Sequence, residues 1–305
     1  MPREFEYIEW IGRHVPPDSR VLLGIGDDTA VIAPRGAGPY SFAADMLLDG
    51  VHFTSPPATA ELIGRKALAV NLSDLAAMAA KPWAAVVSVA FPHGRPNDFI
   101  EGVHRGLQQL AGEFDMVIAG GDTNAWDGPL VINVAVLGEH DGKPPVTRGG
   151  AQPGDWLLVT GPLGGSLVSG RHLTFTPRIG EAQRLVQSAD IHAMIDLSDG
   201  LASDLKHITH QSHVGAVIWA DRVPVHSDAT KGTTELPGWR HAIGDGEDFE
   251  LLFAVSESDG RRLLKSPPAG VVLTLVGQCT ESQEVRLELP DGSFQDLTGG
   301  WEHSL

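Results

Sequence analysis

Apolar positions follow two alternating rhythms along the first half of the chain. Short apolar or β-branched runs at 20–23, 40–44, 84–90 and 131–138 are bounded by Gly, Pro or Asp and predict strands. Between the second and third, residues 60–80 form an Ala/Leu-rich run long enough for a helix of about five turns. Thr59 stands where an N-cap belongs, Glu61 favours the first turn and Pro82 follows the end. Residues 98–113 predict a second helix, followed by an apolar strand at 115–119 that ends in Gly120-Gly121. Strands that alternate with helices point to an α/β or α+β layered fold.

A stretch at 143–155, with Pro144, Pro145, Gly149, Gly150, Pro153 and Gly154, reads as a linker and divides the chain into domains 1–142 and 143–305. Beyond it lie a strand at 156–160, a Gly-rich turn at 161–165 and a helix at 178–188. A second strand-to-helix unit spans 193–207, and late strands fall at 249–255 and 271–276. No fixed-period repeat, heptad or charge block interrupts this order.

The length of 305 residues suits two domains, and a hydrophobic fraction of 42% supplies a sizeable core. With 22 Lys+Arg against 39 Asp+Glu, the net charge of -17 argues against a nucleic-acid or anionic-membrane binder. No apolar run approaches the ~18 residues that span a bilayer. The start, Met1-Pro2-Arg3-Glu4-Phe5, has neither the basic nor the apolar region of a secretory signal. Cys279 is the only cysteine, so no intramolecular disulfide and no multi-cysteine metal site is possible. The expectation is a soluble cytoplasmic protein.

The acid excess is concentrated where strands end and turns begin: Asp27-Asp28, Asp45, Asp122, and Asp196 with Asp199 before Gly200. Glu247-Asp248 sits on a late loop, and Asp74 comes from inside the Ala-rich helix, three residues after Asn71 and on the same face. Ligands of layered α/β folds bind beyond the carboxyl ends of strands, so these side chains are expected to converge. Carboxylates packed together repel unless a counter-charge joins them, and hard divalent cations such as Mg²⁺ prefer oxygen ligands. Each Asp-Gly pair alone also fits an ordinary turn. No Walker loop and no dinucleotide fingerprint occurs; Gly161-Pro162-Leu163-Gly164-Gly165 suits a phosphate cradle or a plain connection equally. Ser198 lacks a nucleophile-elbow context, and the 13 histidines are scattered.

Six motifs then occur in order. They are Leu23-Gly24-Ile25-Gly26-Asp27-Asp28-Thr29-Ala30-Val31, Asp49-Gly50-Val51-His52-Phe53 and Lys66-Ala67-Leu68-Ala69-Val70-Asn71-Leu72-Ser73-Asp74. Gly120-Gly121-Asp122-Thr123, Ile195-Asp196-Leu197-Ser198-Asp199-Gly200 and Gly246-Glu247-Asp248-Phe249-Glu250 complete the set. Together they resemble the thiamine-monophosphate kinase family, part of the aminoimidazole ribonucleotide synthetase-like superfamily, over nearly the whole chain. The resemblance implies ATP-dependent phosphorylation of thiamine monophosphate to thiamine diphosphate. It also implies an N-terminal mixed sheet that forms a dimeric β-barrel with its twin, and a C-terminal α/β domain that completes the active site. By motif, Asp28, Asp45, Asp74, Asp122, Asp196 and Asp199 correspond to ligands of several Mg²⁺ ions. Gly121, Asp122, Arg148 and Ser198 correspond to ATP contacts, and His52, Glu247 and Trp301 to substrate contacts. No residue is implied as a general base.

The chain departs from the family at Ala43-Ala44-Asp45-Met46, where Ser or Thr usually flanks the Asp, and is shorter than usual between 165 and 177. The first departure favours an alternative: a non-catalytic or altered-substrate paralogue that binds nucleotide. An aminoimidazole ribonucleotide synthetase-like enzyme is a further alternative, which the 71–78 and 246–252 strings fit less well.

Overall fold

A computed structural model of the chain describes residues 10–23, 31–32, 38–231 and 236–301. The chain divides into two compact units, Met1–Leu75 with Ala80–Pro144, and Ala76–Ala79 with Pro145–Leu305. No helix among the described residues is long and apolar enough to cross a membrane.

In the N-terminal unit, β1 (Val21–Leu23) and β2 (Val31–Ile32) pair antiparallel. The main sheet uses β3 (Tyr40–Leu48), β4 (Lys81–Pro92), β5 (Val117–Trp126) and β6 (Val131–Glu139) in the order β3-β6-β4-β5. β4 and β5 run parallel, and the intervening helix Asn97–Glu113 is the crossover that such a pair requires. Strand β6 alternates: Ile132, Val134 and Val136 are buried, whereas Asn133, Ala135 and Leu137 are only half-buried. Helix α1 (Ala60–Ala77) covers the buried face, setting Leu75 against Gly138 with Leu68 and Leu72 also fully buried. The opposite face is open, and it leaves Phe42, Met46 and Val86 at 80%, 53% and 42% exposure.

Two expectations shift here. The helix stops at Ala77, and Ala79 takes a left-handed φ of 54° before β4 begins. Strand β5 does not end at Gly120-Gly121 but runs through them to Trp126. Gly121 is glycine because a Cβ there would collide with the Val87 carbonyl of β4, a demand of strand packing rather than of a turn.

The C-terminal unit is built on one mixed seven-stranded sheet. In chain order its elements include β7 (Trp156–Val159), the helical turn Ser166–Ser169, Ile179–Ser188, β8 (Ala193–Asp196) and α2 (Leu201–Ser212). Then come β9 (Gly215–Trp219), Gly238–Gly244, β10 (Leu251–Val255), Glu257–Lys265, β11 (Thr274–Thr280), β12 (Val285–Glu288) and β13 (Phe294–Asp296). The strand order is β13-β12-β9-β11-β7-β10-β8, antiparallel except for β12 against β9. All five residues of β10 are buried, which explains its unbroken apolar run. Leu157, Val159, Ile195, Leu205, Ile208, Leu252 and Val276 form the heart of this core. β10 sets Leu251 opposite Asp196, so a carboxylate terminates the strand next to the core.

Candidate active site

In the N-terminal unit, α1 and β3 meet through Asn71. Its Oδ1 accepts from the Asp45 backbone N–H at 3.0 Å, and its Nδ2 donates to the Ala67 carbonyl at 3.0 Å. Asn133 Nδ2 donates to the Asp45 carbonyl at 3.3 Å from the other side. Asp45 is thereby fixed on the helix-covered face, and burial raises its carboxyl above the ordinary value. Asp74 lies one turn beyond Asn71 on the same helix face and is half-buried. The structure therefore gathers Asp45, Asn71 and Asp74 on one side of the sheet.

Asp122 does not join them. Its register partner is Ser88, which pairs with Asn133, which pairs with Met46; the row containing Asp45 runs through Val134, Val87 and Gly121. Alternation along the strands puts these two rows on opposite faces, so Asp122 is exposed on the open face. The same pleat turns Ala44 and Met46 away from Asp45, so hydroxyls at those two positions would not share its face. Asp28 lies outside the described residues.

His52 closes a tight turn after β3. The Leu48 N–H donates to His52 Nδ1 at 3.0 Å, which places the proton of the neutral ring on Nε2. Lys66, fully buried in α1, donates through Nζ to the His52 carbonyl at 2.6 Å. The motif quoted from the sequence contained Lys66, yet nothing in the pattern announced a buried ammonium.

The C-terminal unit brings its candidates together by backbone. Glu247 N donates to the Ser198 carbonyl at 2.7 Å, and Trp301 N donates to the Asp199 carbonyl at 2.9 Å. A Cβ on Gly246 would stand 2.9 Å from the Ser198 carbonyl oxygen, and one on Gly300 2.9 Å from that of Asp199. Three chain segments thus pack main chain to main chain, which only glycine permits. Within this knot Glu247 and Phe249 hold left-handed φ values of 58° and 52°, local strain of the kind found at functional sites. Glu247 Oε2 lies 3.6 Å from His172 Nδ1, and the Trp301 residue is 60% exposed. Arg148 is exposed; its charge and that of Asp199 both act on His207, lowering and raising its proton affinity respectively, while burial is the larger lowering cause.

Asp196 is 4% exposed and Asp199 is half-buried. Beside them sits Asp204, only 2% exposed, whose carboxylate accepts from the Asp199 N–H at 3.0 Å. Burial first, then the like charges of Asp196 and Asp199, push Asp204 up to about 8. Sequence reasoning missed this residue; its signal was an acid near the start of α2, indistinguishable from an ordinary first-turn acid.

Two further buried acids of this unit are answered by arginines. Arg178 grips Glu250 through Nε at 2.8 Å and through its terminal nitrogen, and Thr160 Oγ1 donates to the same carboxylate at 2.7 Å. Arg171 donates to Asp248 Oδ1 at 2.9 Å, and Gly164 N donates to both Asp248 oxygens. Gly165 N donates to Asp245 Oδ2 at 2.9 Å. Of the two readings of the Gly-rich turn, the connection fits: its amides at 164 and 165 are taken by carboxylates. Among the described residues, no three or more His, Cys, Asp or Glu side chains are arranged to hold a metal ion. Carboxylates are offered in smaller sets, the mode in which Mg²⁺ binds with substrate phosphates rather than in a protein cage.

Comparison with known proteins gives this arrangement its class. The family model of the AIR synthase related protein N-terminal domain matches residues 26–140, and that of its C-terminal domain matches 152–289. The chain is 40% identical over 284 residues to thiamine-monophosphate kinase of Rhodopirellula baltica, covering 89% of this chain and 87% of that relative. Among solved structures, thiamine-monophosphate kinase from Stenotrophomonas maltophilia K279a superposes with a TM-score of 0.79 at 32% identity, over 94% of this chain and 95% of that one. AaThiL complexed with AMPPCP and TMP gives 0.77 at 27% identity, over 99% and 97%. The fold is the two-domain mixed α/β architecture of AIR synthase related proteins. Within that class, the chain belongs to the thiamine-monophosphate kinase family.

Proposed function

We propose that the protein transfers the γ-phosphoryl group of ATP to thiamine monophosphate, yielding thiamine diphosphate. The observation that carries this reading is the backbone knot, which joins Ser198, Asp199, Glu247 and Trp301 from segments distant in sequence. Relatives at high coverage are thiamine-monophosphate kinases, and one solved relative is a complex with an ATP analogue and TMP.

The chemistry asks little of a proton-transfer group. A phosphate monoester has its second pKa near 6, so the acceptor is mostly dianionic at neutral pH and needs no general base. What remains is to align two anionic phosphates, a task of positioning and neutralisation. The donor chemistry of Asp45, Asp74, Asp196 and Asp199, all oxygen and buried or half-buried, suits several Mg²⁺ ions held jointly with phosphate oxygens; Asp28 is assigned to the same set, and Asp122, on the face away from Asp45, to a separate ion. Bound there, Mg²⁺ would neutralise phosphate charge. Gly121, Ser198 and Arg148 are assigned to ATP. His52, with its proton on Nε2, is assigned to donate to the substrate phosphate, and Glu247 to the thiamine rings. The Trp301 indole attracts the thiazolium cation with ~0.5–2 kcal/mol.

The division of labour follows the two domains: residues 1–142 bind Mg-ATP and dimerise, and 143–305 supply the other active-site contacts. A homodimer suits the open face of the N-terminal sheet, whose Phe42, Met46 and Val86 are exposed, and joining two such sheets into a barrel would shield their edges. A cytoplasmic setting fits a buried free thiol at Cys279, pushed up to about 12 by burial and therefore inert. Incubation with ATP, Mg²⁺ and thiamine monophosphate is expected to yield thiamine diphosphate. Nucleotide binding by calorimetry without any such product under metal saturation would instead identify a non-catalytic paralogue.

A further inference from the structure

Asp204 belongs to none of the roles assigned above, yet at 2% exposure it is more enclosed than Asp196 or Asp199 beside it. Strand β8 ends at Asp196, the chain turns through Leu197, Ser198 and Asp199, and α2 starts after Gly200, which has a φ of 102°. The N–H groups at such an entry have no partner within the helix. Asp204 reaches back along its own helix, and its carboxylate accepts from the N–H groups of both Asp199 and Gly200, the former at 3.0 Å. This is the geometry of a capping box, displaced by one residue.

The opposite side of the turn is pinned as well. The Ser198 carbonyl takes the Glu247 N–H and the Asp199 carbonyl takes the Trp301 N–H. Asp199 is therefore held at its N–H by Asp204 and at its carbonyl by Trp301. We propose that Asp204 is a positioning residue: it fixes the turn that aims Asp196, Ser198 and Asp199, and through Asp199 the docking of Trp301, without being a metal ligand itself. This inference rests on the reading of Asp196 and Asp199 as Mg²⁺ ligands.

The two possible roles of Asp204 separate by substitution. Asn keeps a carbonyl oxygen that accepts from the Asp199 N–H but removes the charge a ligand would use; Ala removes both. The full-length chain and its D204A and D204N variants are titrated with Mn²⁺, a cation of similar oxygen preference, with free Mn²⁺ read by electron paramagnetic resonance. KM for thiamine monophosphate and thermal midpoints are measured alongside. D204A is expected to weaken Mn²⁺ binding by roughly 10- to 100-fold, as loss of a supporting partner does elsewhere, and to raise KM. D204N is expected to stay within about threefold of the parent in both, the sparing that a retained acceptor allows.

A loss in D204N as large as in D204A would make Asp204 a ligand and overturn the proposal. So would wild-type Mn²⁺ affinity in D204A with only the thermal midpoint lowered, which marks a purely structural acid. If D204A does not fold, a tenfold loss in D204N alone is enough to overturn it. A parent protein that binds no Mn²⁺ fails in a distinguishable way, because it removes the metal assignment of Asp196 and Asp199 and this inference with it.

Discussion

The two units hold their buried and candidate acids in different ways. In the N-terminal unit Asp45, Asp74 and Asp122 are spread over one helix and two strands, and Asp45 is held through its backbone by the side chains of Asn71 and Asn133. Asp45 is perturbed by burial alone. In the C-terminal unit two of the buried acids are gripped by an arginine: Glu250 by Arg178 and Asp248 by Arg171. Where Asp196, Asp199 and Asp204 meet, burial is the larger cause that raises Asp204, and the like charges of its two neighbours add to it. Acids that already have a guanidinium are part of the framework. Asp196 and Asp199, at the turn before α2, are the acids that the proposed function gives to a cation, with Asp204 supporting them.

The largest expected effect tests the framework side. Replacing Arg178 by Met leaves Glu250, 3% exposed, with only the Thr160 hydroxyl among the partners named here. Breaking a buried pair from one side costs about 3 kcal/mol or more. The expectation is a matching fall in urea-unfolding free energy, with KM for ATP in the surviving folded fraction little changed. A large KM shift at unaltered stability would move Arg178 into the active site and blur the distinction. Next in size is Asp74→Asn in the other unit, where the contrast predicts the reverse. Turnover should fall at least about 100-fold at limiting Mg²⁺, since metal-borne stabilisation of phosphoryl transfer is worth several kcal/mol. The thermal midpoint should barely move; normal turnover in that variant would return Asp74 to the framework.

Trp301 gives a smaller and more selective effect. Its backbone is docked on Asp199 while the residue remains 60% exposed, so Trp301→Ala removes the indole and keeps the hydrogen bond. Loss of ~0.5–2 kcal/mol of cation attraction corresponds to a roughly 2- to 30-fold higher KM for thiamine monophosphate. KM for ATP should be unaffected. An equal rise in both constants would show that the tail only braces the unit.

How much of this was legible in the sequence depends on separation along the chain. The Ala-rich helix carrying Asn71 and Asp74 was legible because periodicity and capping are local, and its early stop at Ala77 hangs on one left-handed residue, Ala79. The motifs around Asp196 and Glu247 were legible as strings, but their union was not: it depends on backbone hydrogen bonds between residues about fifty positions apart. The pairing of Arg178 with Glu250 spans 72 residues and left no pattern to read. Asp122 was expected at a strand end, and Gly120-Gly121 read as a turn; the glycines instead admit a close neighbouring strand, which carries the pleat onward and sends Asp122 to the open face. A one-residue difference in register decides such a matter, and no composition rule contains it.

The last contrast uses one titrating group from each unit, with opposite sign. Burial, with the His14 charge as a lesser cause, lowers His104 in the N-terminal unit to about 4. The unfolded histidine titrates near 6.5, so its contribution to stability is present above that value and is lost as pH falls toward 4. Burial raises Asp248 in the C-terminal unit to about 6, partly offset by the Gly164 amide and Arg171. Its contribution is complete below the unfolded value near 4 and is lost as pH rises through 6. Between pH 4 and 6 the two slopes therefore oppose each other. Relative to D248N, the wild-type melting midpoint should fall across that window and level off above about pH 7; relative to H104Q, it should climb from about pH 4 to 6.5. A flat difference curve for H104Q would mean that the imidazole is hydrated in the folded protein, and a flat one for D248N that Arg171 fully offsets the burial of its carboxylate.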